Sequence, residues 1–290
     1  MSTESADPRF ADLDAWPTAR AVEAMWEGQA EAIEAMRRAL PQITHAAEAA
    51  AERLSGTGRL IYAGAGTSGR IAAQDGAELG PTFGWPAERL VFAMAGGEAA
   101  LLNSVEGAED DAADGAAQMA LASVGPDDVL IGVAASGATP FTVAAITEAR
   151  RRGALTIGLA NNPGAPLLDA AEFPVLLDTG SEVLAGSTRM KAGTAQKTAL
   201  NLISTAVMIR LGRVYKGMMV DMQLSNAKLR KRAEKMVAEL AGCGEAEAAV
   251  ALAAGGGRIK PAVLVAMGRS LEEADALLAA NGGNLRRALG

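Results

Sequence analysis

Two hydroxyl side chains interrupt a glycine-rich motif in the segment YAGAGTSGRIAAQDGAE at residues 62–78. Its glycines fit the pattern G-x-G-x-x-G, which binds the pyrophosphate of a dinucleotide when a strand precedes it and a helix follows. The loop residues Gly66, Thr67 and Ser68 could instead surround a smaller phosphate, which the N-terminus of that helix would also attract. Because Ser68 could equally be an ordinary helix cap, this segment alone leaves both interpretations open.

The next apolar run argues against a dinucleotide. A dinucleotide-binding fold needs an acidic residue about 20 positions after its glycines, at the end of the second strand, to bind the ribose. Here the second run ends in FAMAGG at residues 92–97, and the first acidic residue after it is Glu98. We therefore favour a small phosphate over a dinucleotide as the ligand of this loop.

A third apolar run ends in a second cluster of small and hydroxyl residues. This cluster, AASGATPF at residues 134–141, places Ser136, Gly137 and Thr139 at the start of a predicted helix. Two loops of this composition could converge on one phosphate, although two capped helices would look alike. The sequence favours convergence.

A segment farther along the chain adds positive charge. GSTRMKAGTAQK at residues 186–197 is rich in hydroxyl residues and carries Arg189 and Lys191. A guanidinium or ammonium group could complement a phosphate or a substrate carboxylate. By themselves the two cations would be ordinary surface charges, so their assignment to the site depends on the loops.

Five short apolar runs must position these loops. None alternates cleanly between apolar and polar residues, which indicates strands covered on both faces, as in a parallel sheet. Helical patterns lie between the runs, so we predict an α/β fold with a doubly wound, five-stranded parallel sheet. Ligands of such sheets bind beyond the carboxyl ends of the strands, where the glycine-rich loops lie. The runs span residues 59–66, 89–97, 129–137, 154–161 and 173–180.

Helical segments flank this sheet on both sides in the sequence. Residues 17–54 show apolar side chains three and four apart, and Pro41 is expected to divide them into two helices. After about residue 220, short helical patterns separated by glycines predict a small helical tail. We therefore predict an N-terminal helical segment at 1–54, a phosphate-binding α/β domain at 55–220 and a helical tail at 221–290.

The composition excludes several classes of protein. The formal charge of −7 leaves no concentrated basic surface for nucleic acid. The single cysteine, Cys243, cannot form an intrachain disulfide and fits a reducing compartment. The N-terminal residues lack the basic start and apolar core of a secretory signal, and no apolar run reaches the roughly 20 residues of a membrane helix. We expect a cytoplasmic protein without membrane contact.

No metal or other cofactor is expected. One histidine and one cysteine, His45 and Cys243, lie far apart in the sequence and cannot form a transition-metal site of the usual composition. The reaction must then be carried by side chains alone.

Several segments in order resemble the N-acetylmuramic acid 6-phosphate etherases, which are members of the sugar isomerase (SIS) family. The resemblance runs from about residue 58 to residue 215 and extends to the helical tail. It implies a SIS-type, flavodoxin-like fold and a lyase that cleaves the D-lactyl ether of N-acetylmuramate 6-phosphate in peptidoglycan recycling. The family commonly has an arginine where this chain has Ala138, so one polar contact near the third loop is expected to be absent. The segments are GRLIYAGAGTSGR, PTFGW, VEGAEDD, GVAASGATPF and GSTRMKAGTAQK.

Such a reaction needs one general acid and one general base. In the open-chain aldehyde, a base removes the hydrogen on carbon-2, lactate leaves from carbon-3 and water adds to the product. Two carboxylates with different pKa values would serve. The resemblance implies that Glu78 is the proton donor and that Glu109 is the second catalytic residue, most simply the carbon-2 base.

The spacing of Glu78 and Ser68 creates a geometric difficulty. On a continuous helix the two residues would lie about 15 Å apart along the axis, too far for one open-chain hexose phosphate to reach comfortably. Either the helix breaks near Gly76, or a second subunit supplies Glu78. We favour a homodimer with shared active sites, which is also what the resemblance implies.

Two other functions remain open. A sugar-phosphate isomerase would use the same fold, but such enzymes often employ a histidine for ring opening, and this chain has none near its loops. A non-catalytic regulator similar to the glucokinase regulatory protein would bind sugar phosphates without turnover. The pair of carboxylates favours the etherase.

Overall fold

The five apolar runs form a parallel sheet in the computed structural model, which describes residues 3–290. The strand order is β2-β1-β3-β4-β5, so the order reverses between β1 and β3. This arrangement confirms the predicted doubly wound sheet and places the ends of β1 and β3 side by side. The strands are β1 (Leu60–Gly64), β2 (Leu90–Met94), β3 (Val129–Ala134), β4 (Leu155–Ala160) and β5 (Phe173–Leu176).

The central strands are buried on both faces, as continuous apolar runs predict. Every residue of β1, β3 and β4 is buried. Four helices lie between successive strands of the sheet, and α3 and α4 pack beside each other on one face, where Ile61, Leu130 and Phe141 belong to one apolar core. These helices are α2 (Gly66–Phe83), α3 (Ala112–Leu121), α4 (Pro140–Arg151) and α5 (Pro166–Ala170).

The N-terminal region is one helix, α1 (Thr18–Arg53), and not two. The predicted break at Pro41 is wrong, because Pro41 lies inside the helix. A proline removes one backbone hydrogen bond, at a cost of about 3 kcal/mol. The buried apolar stripe continues on both sides of it, from Met36 and Ala39 to Ile43 and Ala46, and burial of that stripe outweighs the loss.

The chain divides into two compact units. The first contains residues 1–76 and 88–206, and therefore holds α1, the sheet and most of α6 (Lys191–Arg210). The second contains residues 77–87 and 207–290. It has a short antiparallel ladder and five helices, and its core includes Val220, Val237 and Val263. Its elements are β6 (Val214–Tyr215), β7 (Met218–Met219), α7 (Ala227–Ala241), α8 (Glu245–Ala254), α9 (Ile259–Ala266), α10 (Leu271–Ala280) and α11 (Leu285–Leu289).

The helices have no segment suited to a bilayer. Across residues 3–290, none combines the length and the apolar character that a membrane-spanning helix requires.

Candidate active site

The turn from β1 to α2 brings hydroxyl groups to the carboxyl edge of the sheet. Gly64 ends β1, and α2 begins at Gly66, so Thr67 and Ser68 lie in its first turn. The helix starts this close to the strand because Gly69 has no side chain. A Cβ there would lie 2.5 Å from the sulfur of Met94 and 2.8 Å from the carbonyl oxygen of Gly64. The N-terminal amides of α2 therefore point out beyond the end of β1, where an anion is favoured.

The turn from β3 to α4 has the same character. Gly137 has a φ of +67°, a conformation that glycine adopts without strain, and a Cβ there would lie 2.4 Å from the Cβ of Ala165. The hydroxyl of Ser136 accepts a hydrogen bond from the backbone N–H of Ala138 at 3.2 Å. Thr139 is the N-cap of α4, yet its side chain makes no capping hydrogen bond. The Thr139 hydroxyl is therefore available to a ligand.

Both turns line one cavity of about 360 Å³. Two helix N-termini, those of α2 and α4, thus open onto a space large enough for a phosphorylated sugar. The predicted residues Gly66, Thr67, Ser68, Ser136 and Thr139 all border it, whereas Gly137 lies buried beneath the turn. The complete lining is Glu4, Ala65, Gly66, Thr67, Ser68, Glu109, Asp110, Ala135, Ser136, Ala138, Thr139, Pro140 and Thr188.

Glu109 lies on a wall of this cavity. It is exposed and belongs to a short 3₁₀ helix, Ala108–Asp110, which precedes α3. A second cavity of about 300 Å³ shares Ala65, Gly66 and Glu109 with the first. Glu109 therefore lies where the first cavity meets a second cavity of similar size.

Arg70 connects the start of α2 to the segment that precedes Glu109. From the first turns of α2, its Nε donates a 3.0 Å hydrogen bond to the carbonyl of Ala100, and its Nη2 donates one of 3.0 Å to the carbonyl of Asn103. Arg70 also lines the second cavity. This bracing couples the position of the Glu109 segment to α2.

Glu78 is exposed, and α2 runs without a break from Gly66 to Phe83. The alternative of a helix break near Gly76 is therefore wrong. Ten residues separate Ser68 from Glu78, so Glu78 lies about 15 Å farther along the helix axis. It is not among the residues that line either of the two cavities described here.

Glu182 fixes the segment that brings Thr188 to the cavity. Its carboxylate is buried and accepts hydrogen bonds of 2.9 Å from the backbone N–H groups of Lys191 and Ala192, at the start of α6. Burial raises the pKa of Glu182 above its usual value, although the two N–H groups oppose the rise. Glu182 is thus a helix cap that ties residues 182–191 into one closed turn.

The two predicted cations do not reach the cavity. Lys191 is buried, and its Nζ forms a 2.8 Å ion pair with Glu31 of α1. This ion pair joins α6 to α1, and Lys191 is not among the residues that line the cavity. Arg189 is exposed and borders neither cavity in the described part of the chain.

Three polar lining residues were missed by sequence reasoning. Glu4 lies in a polar N-terminal stretch without any motif, Thr188 is one hydroxyl among several, and Asp110 belongs to an acidic run that resembles a solvated surface. Only the hydroxyl-rich character of residues 186–197 could have indicated Thr188.

A larger cavity of about 730 Å³ lies within the second compact unit. Two of the cations that line it form ion pairs, Lys260 with Asp221 and Arg258 with Asp275. Within residues 3–290, no three His, Cys, Asp or Glu side chains approach closely enough to hold a metal ion.

Comparison with known proteins assigns the family. The chain is 50% identical to an N-acetylmuramic acid 6-phosphate etherase of Deinococcus radiodurans over 289 residues, covering 99% of this chain and 95% of the relative. It is 47% identical to one of Rubrobacter xylanophilus, covering 100% and 96%. Residues 42–150 match the glucokinase regulatory protein N-terminal SIS domain, and residues 103–206 match the SIS domain.

A solved structure agrees with the fold. A putative phosphosugar isomerase involved in capsule formation in Bacteroides fragilis superposes with a TM-score of 0.52 at 20% identity, covering 69% of this chain and 95% of that chain. This likeness concerns the fold alone. Sequence identity over nearly the full length decides the family: the chain belongs to the N-acetylmuramic acid 6-phosphate etherases, and its core has the SIS fold.

Proposed function

We propose that the chain cleaves the D-lactyl ether of N-acetylmuramate 6-phosphate and releases N-acetylglucosamine 6-phosphate and D-lactate. Membership of the etherase family supports this reaction. The observation that carries it is the meeting of two hydroxyl-bearing turns and Glu109 around one cavity. Such an enzyme is a carbon–oxygen lyase of cell-wall sugar recycling and would act in the cytoplasm, in keeping with its single cysteine.

The phosphate is bound at the N-termini of α2 and α4. Backbone N–H groups at these ends carry partial positive charge, and the hydroxyls of Thr67, Ser68 and Thr139 add donors to the same cavity. No cation is needed to hold the phosphate, which fits the positions of Arg189 and Lys191 away from the cavity. The sugar chain then extends from the phosphate toward Glu109.

Glu109 removes the hydrogen from carbon-2 of the open-chain aldehyde. The neighbouring carbonyl makes this hydrogen acidic, and a positioned carboxylate contributes on the order of 10² to 10⁴ in rate. The electron pair left on carbon-2 forms a double bond to carbon-3 and expels the lactyl oxygen. Water then adds across that bond, with its oxygen on carbon-3 and a proton on carbon-2.

Glu78 protonates the lactyl oxygen as it leaves, and it does so in the active site of a second subunit. The unbroken α2 helix holds Glu78 about 15 Å along its axis from the phosphate turn of its own chain. A homodimer brings a Glu78 from the partner instead. An apolar surface suited to pairing lies on α1, where Val22, Trp26, Ile33 and Leu40 share one exposed face, and Trp26 is 69% exposed.

Incubation with N-acetylmuramate 6-phosphate in water enriched in heavy oxygen tests the reaction. We expect D-lactate in stoichiometric amount and one label at carbon-3 of the product sugar. Release of lactate that carries the label would contradict elimination at carbon-3. Formation of a ketose without lactate would favour the isomerase, and binding without turnover would favour the regulator.

A further inference from the structure

The N-terminal residues cross the carboxyl edge of the sheet and are anchored at Thr3. Thr3 is fully buried, and its backbone N–H donates a 2.9 Å hydrogen bond to the side-chain oxygen of Asn162, just after β4. The Asn162 amide returns a 3.0 Å hydrogen bond to the Thr3 hydroxyl. The backbone N–H of Gly186 donates to the Thr3 carbonyl at 3.2 Å. This end is therefore held by two loops of the sheet edge at once.

A second anchor lies four residues farther on, at Asp7. Its carboxylate is buried and accepts hydrogen bonds from the Ser181 hydroxyl at 3.2 Å and from the Arg9 guanidinium. Residues 3–7, here called the N-terminal strap, are thus fixed at both ends by groups from the loops after β4 and β5. The backbone between these anchors therefore has a defined position.

Glu4 lies between the anchors and is one of the residues that line the phosphate cavity. One carboxylate oxygen lies close to Gly186, since a Cβ on that glycine would be 3.0 Å from it. A carboxylate does not bind phosphate, because the two charges repel each other. It accepts hydrogen bonds from neutral donors, which a sugar carries as hydroxyl groups.

We propose that Glu4 orients the substrate by accepting hydrogen bonds from hydroxyl groups of the sugar chain. Its charge repels every phosphate group in the cavity, and only a phosphosugar offsets that repulsion with these hydrogen bonds. This inference rests on the proposed phosphate site, and it names the property that distinguishes a phosphosugar from inorganic phosphate. The phosphate moiety occupies the turns of α2 and α4, and the hydroxyl groups face the strap. Glu4 is a substrate-binding group and takes no proton from carbon-2.

Equilibrium binding of two probes tests this role without requiring turnover. In Glu4→Gln, inorganic phosphate should bind about five-fold more tightly, because one nearby negative charge is removed. N-acetylglucosamine 6-phosphate should bind several-fold more weakly, and weaker still in Glu4→Ala, which lacks an acceptor. Opposite shifts for the two probes are a signature that partial unfolding cannot produce. Glu172→Gln, an exposed glutamate outside the cavity, should leave both affinities unchanged.

Two outcomes would overturn the proposal. If Glu4→Gln binds both probes more weakly by the same factor, Glu4 only supports the fold. If the affinity for both probes is unchanged, Glu4 does not contact the bound ligand. Glu4→Asp gives a further check, since it keeps the charge but shortens the reach: phosphate affinity should stay near that of the wild type while phosphosugar affinity falls. If the wild-type chain binds both probes but releases no D-lactate, the proposed function fails while the role of Glu4 is still tested.

Discussion

The carboxylate of Glu182 accepts a 2.9 Å hydrogen bond from the backbone N–H of Lys191, the first residue of α6. A second bond of the same length joins it to Ala192. One buried side chain thereby satisfies two N–H groups at a helix N-terminus and closes the turn that contains Thr188. The position of this lining residue depends on a side chain that does not itself line the cavity.

Replacing Glu182 by Ala should destabilise the protein by about 2 kcal/mol, because two N–H groups lose their buried acceptor. Urea unfolding at pH 7 measures the change. Glu172→Ala, which removes an exposed glutamate, should change stability by less than about 0.5 kcal/mol. A Glu182→Ala protein as stable as the control would show that the N–H groups find other partners at no cost.

Glu109→Gln should lower turnover by a factor on the order of 10² to 10⁴, because an amide cannot accept the carbon-2 proton. Exchange of the carbon-2 hydrogen of added N-acetylglucosamine 6-phosphate with deuterated water, followed by NMR, should disappear together with lactate release. Glu98→Gln alters an exposed glutamate that lies, like Glu109, between β2 and α3. This variant should retain both carbon-2 exchange and lactate release. Persistent carbon-2 exchange in Glu109→Gln would assign the base to another residue.

Mixing Glu78→Gln chains with Ser68→Ala chains should restore activity that neither variant has alone. If each site combines the phosphate turn of one subunit with Glu78 of the other, random pairing gives about a quarter of wild-type activity, because half of the dimers are mixed and each has one intact site. The restored activity is measured as steady-state lactate release after the mixture has been unfolded and refolded.

A matched mixture serves as the control for this experiment. Ser68 and Glu109 line the same cavity of one chain, so Ser68→Ala mixed with Glu109→Gln should remain inactive. Failure of the first mixture, or rescue in the second, would be incompatible with the proposed sharing of the site.

The anchor at Asp7 should make stability depend on pH. Hydrogen bonds and charge from Arg9 lower the pKa of Asp7 from its ordinary 3.8 to about 2. Its stabilising effect is therefore present above pH 4 and is lost as the pH falls through 2. Asp7→Asn should lower the free energy of unfolding at pH 7, and the difference from wild type should shrink near pH 2.

Urea unfolding at both pH values compares this variant with Asp12→Asn, which changes an exposed carboxylate nearby. Asp12→Asn should have the same free energy of unfolding as the wild type at both pH values. A loss in Asp7→Asn that is equally large at pH 2 would show that the interaction does not depend on the charge of Asp7.

The sequence by itself determined the sheet and the two hydroxyl-bearing turns that follow β1 and β3. Continuous apolar runs predict strands covered on both faces, and glycine followed by hydroxyl residues predicts a turn into a helix. These signals are local, since strand burial and helix starts depend on residues a few positions apart. For this reason β1 and β3, with Ser68 and Ser136 just beyond them, could be predicted without coordinates.

Only the tertiary structure decided which polar groups face the cavity. Lys191 forms an ion pair with Glu31, which is 160 positions away in the chain. Thr3 is hydrogen-bonded to Asn162, at a separation of 159, and this contact places Glu4 at the cavity. The continuity of α1 through Pro41 likewise depends on burial against the rest of the first unit. Contacts at such separations are absent from local patterns, because they form only when the whole sheet brings its loops to one edge.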